Sequence, residues 1–179
     1  MVSPTSAAAV ANAFLEIQDA DGGNYPRIDQ MKLQKLLYYA NAWWLAFNGE
    51  PLFDEDIEAW PWGPVVRNVY LEFREFGRKP IVGRRATEVV VTNDDPYKID
   101  VREPAPPGND VEEFLKSVWE THKQFSGVQL SNATHAEGEP WHIIKSTYGD
   151  LDAKPTIPNK LIRDVFKRKI DAAAPATAA

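Results

Sequence analysis

The order of apolar and polar positions lays out a series of helices around one long central helix. Leu33, Leu36, Leu37, Ala40, Trp44 and Phe47 recur at helical spacing and form a single apolar stripe. Asp29 is placed to cap its start, with Ile28 and Leu33 positioned to close a hydrophobic staple across the cap. Asn48-Gly49, followed by Pro51, ends it. The helix carries more rings than one packing partner can absorb. Adjacent positions point about 100° apart, so Trp43 and Trp44 cannot share a partner, and neither can Tyr38 and Tyr39. Two readings follow: other helices of the same domain cover it on two sides, or one ring-bearing surface is kept for another protein.

The same spacing predicts further helices. Ala7 to Gln18 turns Val10, Phe14 and Ile17 to one side and stops at Asp21-Gly22-Gly23. Asp110 and Glu113 form a capping-box-like start for a stripe of Phe114, Leu115, Val118, His122 and Phe125, with Trp119 beside it. Short helices are expected through Val128, Leu130 and Ala133, and from Pro140 to Gly149 with Trp141, Ile144 and Tyr148 inward. A last helix spans Pro158 to about Ile170. Between these, Val89, Val90 and Val91, a turn at Asn93-Asp94-Asp95-Pro96, and alternating Tyr97, Ile99 and Val101 predict a two-stranded hairpin. A lone hairpin is marginal, so one face is expected to pack on the helices, leaving its edge as a second candidate surface.

Ala59-Trp60-Pro61-Trp62-Gly63-Pro64-Val65-Val66 is the most distinctive run. Strand alternation would put Trp60 and Trp62 on one side of a single extended segment. Pro64 could then open a helix capped by Gly63 and continued by Val66, Val69, Tyr70, Phe73 and Phe76. This run, with Lys32, Leu33, Gln34, Lys35, Leu36, Tyr38, Tyr39, Pro51, Leu52, Phe53, Ala59, Trp60, Gly63, Pro64 and Val65, resembles the N-terminal signature of the Panacea antitoxin family. That family includes SocA-type antitoxins and proteins found on phage and mobile elements. Leu130-Ser131, Thr134-His135 and Glu139-Pro140-Trp141 resemble its second motif. Trp62 departs from the pattern, where the family more often has another aromatic such as Tyr. The resemblance implies an antitoxin that binds a toxin encoded beside it. For SocA-like members it also implies an adaptor that delivers the toxin to the ClpXP protease. Different members face unrelated toxins.

Composition narrows the remaining choices. A chain of 179 residues, 44% hydrophobic and 26% charged, fits one mainly α (α+β) domain of six to seven helices with a small antiparallel hairpin. The expected domain is 1–171, with 172–179 as a disordered tail. The absence of cysteine removes disulfides and thiolate chemistry and suits a cytoplasmic setting. No apolar run is long enough to span a membrane. A net charge of −6 opposes whole-surface nucleic-acid binding and favours encounter with a basic protein.

Candidate chemistry is sparse. His135, Glu139 and His142 would align three metal-ligand types on one face of a continuous helix, the basis of an alternative metal-dependent enzyme, but Gly138 and Pro140 interrupt that helix. The other reading has Thr134 and His135 bonding the local loop and seating Trp141. The segment 50–58 holds five carboxylates, suited to paired acid–base work or to a solvated loop. Lys160, Arg163, Lys167, Arg168 and Lys169 could contact operator DNA as an autorepressor, or complement the final helix dipole. The tail Ala176–Ala179 loosely resembles tags engaged by the ClpX unfoldase. No nucleophile elbow, phosphate loop or HExxH motif is present, so no catalytic residue or cofactor is assigned. The candidate partner surface is Tyr39, Trp43, Trp60 and Trp62, with Asp54, Glu55 and Asp56 as an acidic rim.

Overall fold

The computed structural model describes residues 4–92 and 95–174. Its elements are, in order, α1 (Ala7–Asp21), α2 (Gln30–Asn48), β1 (Glu58–Trp60), β2 (Gly63–Val65) and α3 (Arg67–Glu72), followed by a 3-10 turn (Arg74–Phe76). Then come β3 (Glu88–Thr92), β4 (Asp95–Arg102), α4 (Asn109–His122), α5 (Gly127–Thr134), α6 (Pro140–Tyr148) and α7 (Asn159–Ala173). The fold is mainly helical α+β, with two small antiparallel hairpins.

Helix α2 is the axis of the domain and contacts α1, α3, α4, α5, α7 and β2. Its boundaries follow local chemistry. Asp29 Oδ1 accepts the Lys32 N–H at 2.7 Å, and Ile28 and Leu33 are fully buried on either side of that cap. Gly49, at φ 82°, ends the helix and donates its N–H to Leu45. The paired rings separate as their angular spacing requires. Trp43 meets Phe166 of α7 edge-on at 4.8 Å, while Trp44 meets Phe114 of α4 at 5.2 Å. The helix is therefore covered on two sides by its own domain.

Buried amides fasten the connections. Asn12 forms both hydrogen bonds with the Ala86 backbone, at 2.7 and 3.0 Å, which ties α1 to the segment entering β3. Asn41 accepts the Leu52 N–H at 2.9 Å and donates to Asn159 at 3.3 Å, joining α2 to the following loop and to α7. Each bond satisfies a polar group that burial would otherwise leave unpaired.

Several expectations are corrected. Residues 58–65 are two strands, because Pro61-Trp62 forms a turn and pairs Glu58 with Val65 and Trp60 with Gly63. Pro64 lies in β2; α3 starts at Arg67 after Val66, and only a 3-10 turn continues it to Phe76. The local proline preference yields here to Gly63, which at φ 105° closes the hairpin. Gly108, without a side-chain cap, starts α4 in place of Asp110. Tyr148 points outward. Helix α7 extends to Ala173, so the expected tail boundary at 172 falls inside it, and the expected protease-contacting end at 176–179 lies outside the described residues.

Hairpin β3–β4 forms as expected, with Val89 opposite Val101 and Val91 opposite Ile99; of the expected turn, Asn93 and Asp94 lie outside the described residues, and β4 begins at Asp95. Its packing differs from expectation. These four side chains face solvent, and the opposite face carries an ion pair between Glu88 and Arg102 at 3.4 Å.

Candidate protein-binding groove

The outer side of α2 forms the floor of a groove of about 650 Å³. Tyr39, Trp43 and Phe47 succeed one another every four residues along that floor, the spacing that keeps side chains on one helix face. Phe114, Val118 and His122 of α4, with Phe125 just beyond it, form one wall; Phe166 and Lys169 of α7 form the other. Gln129, Leu130 and Ala133 of α5 close an end. The rings brace one another. Trp43 stacks on Phe47 at 6.2 Å, and Tyr39 stacks on His122 at 4.7 Å. Phe47 is 64% exposed and Phe125 45%, an unusual exposure for large apolar side chains.

Polar groups at the groove are held in defined states. His122 Nδ1 donates to the Val118 carbonyl at 2.7 Å, and burial keeps the imidazole below its ordinary pKa despite that bond. Burial, reinforced by the charge of Glu139, raises the Tyr39 phenol above its ordinary value. Lys169 pairs with Glu139, and among the described residues no carboxylate lines the groove itself.

The remaining signature residues are fastened beneath the β1–β2 hairpin. Ser131 Oγ donates to the Trp62 carbonyl at 2.7 Å, and Trp141 Nε1 donates to the Trp60 carbonyl at 2.8 Å. His135 stacks on Trp141 at 3.8 Å, and Thr134 Oγ1 donates to Ser131 at 2.7 Å. From α2, Gln34 Oε1 accepts the Val66 N–H at 2.8 Å, and Lys35 Nζ donates to the Pro64 carbonyl at 3.1 Å. Leu33, Leu36, Tyr38 and Val65 are core, and Pro140 takes the first position of α6. Two sequence segments far apart in the chain therefore meet as one brace.

Both signature lysines are interior. Lys32 Nζ donates to the carbonyls of Pro26 at 2.6 Å and Lys123 at 2.7 Å, and lies 5.1 Å from the Trp119 ring. Burial depresses Lys32 to about 8 and Lys35 to about 7, with Asp29 opposing the shift in both. The sign of the resulting pH dependence is unusual. An unfolded lysine keeps its proton up to its ordinary 10.5, whereas folded Lys35 releases it near 7. The unfolded state therefore binds more protons across that window, and stability rises with pH above 7. The wild-type chain is expected to gain on the order of 1–2 kcal/mol between pH 7 and 8.5 over Lys35→Met. Urea unfolding of both proteins at each pH checks this; parallel pH profiles would refute it.

The expected surface residues do not form one patch. Tyr39 and Trp43 line the groove, and Trp60 and Trp62 do not. Trp60 is half-buried against Tyr70 at 4.9 Å, with Lys154 4.3 Å from its ring centre, while Trp62 is 70% exposed in the hairpin turn. Glu55 accepts the Ala7 N–H at 3.1 Å at the start of α1, and Asp54 and Asp56 are exposed. His135, Glu139 and His142 are not assembled as ligands: His135 stacks on Trp141 and Glu139 pairs with Lys169. Among the described residues no three His, Asp or Glu side chains form a metal-binding set. On α7, Lys160 and Arg163 pair with Asp164, and Lys169 with Glu139. Phe47, Phe114, Phe125 and Phe166 complete the groove but read in the sequence as ordinary core stripes. Their signal was the surplus of rings on facing helices.

A Trp-Pro-Trp-Gly-Pro hairpin locked onto a Leu-Gln-Lys helix defines the class of domain. The family described as "Antitoxin SocA-like, Panacea domain" matches residues 33–142. The chain is also 32% identical over 174 residues to Antitoxin SocA of Caulobacter vibrioides (strain NA1000 / CB15N), covering 96% of this chain and 89% of that protein. It belongs to the SocA-like Panacea antitoxin family. No solved structure matches it. No helix among the described residues is long and apolar enough to cross a membrane.

Proposed function

We propose that this chain is a cytoplasmic antitoxin that neutralises its toxin by stoichiometric binding in the α2–α4–α7 groove, with no bond made or broken. The row that runs from buried Tyr39 through half-buried Trp43 to exposed Phe47 carries this reading, because large rings at the centre of a groove are the residue types that dominate protein interfaces. Trp62, exposed at its hairpin turn, and the acidic segment Asp54–Asp56 serve as outlying contacts. In its finer form, which rests only on what the motif resemblance implies for SocA-like members, the bound toxin is handed to ClpXP.

Phe47→Asp tests the groove with little risk to the fold, since Phe47 is largely exposed. The variant is expected to bind the protein encoded by the adjacent open reading frame about 30-fold more weakly, about 2 kcal/mol, with an unchanged thermal midpoint. Calorimetric titration measures this, and equal affinities would refute the groove. Following toxin half-life in cells with and without ClpXP separates sequestration from delivery.

A further inference from the structure

Hairpin β3–β4 carries an apolar face that the helical body does not cover. Val89, Val91, Ile99 and Val101 are each between 57% and 65% exposed, and Tyr97 is 95% exposed. The register places Val89 beside Val101 and Val91 beside Ile99, so the four β-branched side chains form one continuous patch. The other face holds the charged side chains, including the Glu88–Arg102 pair. A two-stranded sheet of this kind ordinarily turns its apolar side inward. Here the apolar side faces solvent, and on the other side Lys98, Asp100 and Arg102 are exposed as well.

We propose that this face is a second docking surface for the toxin, receiving an amphipathic segment of that protein laid across the β-branched patch. The proposal rests on the antitoxin reading above. Two features select the toxin over a second copy of this chain. With Tyr97 the five side chains expose on the order of 600 Å², below the roughly 800 Å² per partner of a stable interface. The patch thus has the size of one part of a larger contact. Each copy also carries a net charge of −6, which opposes self-association.

The test uses Val91→Lys/Val101→Lys and the shape-preserving Val91→Thr/Val101→Thr, titrated with the protein encoded by the adjacent open reading frame. Light scattering reports the oligomeric state of each chain alone. Both variants are expected to lose at least tenfold in affinity while remaining monomeric, with a thermal midpoint equal to wild type. If the threonine variant, with its β-branched shape intact, binds like wild type, the proposal is overturned. A wild-type dimer that these substitutions dissociate, with toxin affinity unchanged, would assign the face to a second copy and also overturn it. Binding lost in Phe47→Asp but kept in both hairpin variants defeats only the hairpin. A wild-type chain that does not bind the probe defeats both readings.

Discussion

Gly63→Ala should destabilise the domain by about 3 kcal/mol or more, far beyond the usual effect of adding one methyl group. Gly63 sits at φ 105°, where a side chain is strained. A Cβ there would lie 2.7 Å from Lys35 Cε and 2.8 Å from Thr134 Oγ1. Neither neighbour can retreat easily. Lys35 is buried with its ammonium on the Pro64 carbonyl, and buried Thr134 is bonded to Ser131. Gly49→Ala is the control. Its φ of 82° is also positive, but nothing lies within 4 Å of the new Cβ, so its cost should stay about 1 kcal/mol. Urea unfolding compares the two variants, and equal losses would show that Lys35 and Thr134 yield freely.

Trp119→Ala should cost about 3–5 kcal/mol, the range for removing a large buried ring. Trp119 is 1% exposed, meets Tyr25 edge-on at 5.2 Å and donates its indole N–H to Asp21 at 2.8 Å. It also lies beneath the buried Lys32 ammonium, so truncation removes a favourable partner from a charge that solvent reaches poorly. Trp119→Phe keeps most of the packing and drops the N–H donor. The Trp119 hydrogen bond is the largest influence holding the Asp21 carboxyl below its usual range, so Asp21 should titrate higher in the phenylalanine variant. Thermal melts of the alanine variant and carboxyl titration by NMR in the phenylalanine variant check both parts. An unmoved Asp21 would contradict the bond.

Much of the helical frame was legible from local chemistry. Asp29 and Gly49 bound α2, and Pro140 opens α6. The failures share a cause: tertiary partners overrode a local preference. Pro64 has every local reason to begin a helix, and only the turn at Pro61-Trp62, held by Ser131 and Trp141, makes it a strand residue. The neighbouring sequence does not show that Lys32 and Lys35 lie inside, because the Pro64 carbonyl that holds Lys35, and the Lys123 carbonyl that holds Lys32 together with Pro26, come from other segments. The candidate site was half visible. Tyr39 and Trp43 stood out as surplus rings, but Phe114, Phe125 and Phe166 joined them only when α4 and α7 packed on α2. Trp60 and Trp62 were grouped with them by proximity in sequence, which the hairpin breaks.

The residues that fasten the β1–β2 hairpin are nearly all distinct from those that line the groove, where only Tyr39 and Leu130 belong to the family signature. Only the outer rim is consequently separable from the frame: Phe47 and Phe125 are exposed and can change while the ties beneath Trp60 and Trp62 stay as they are, whereas Phe166, Leu130 and Val118 are buried and serve groove and core at once.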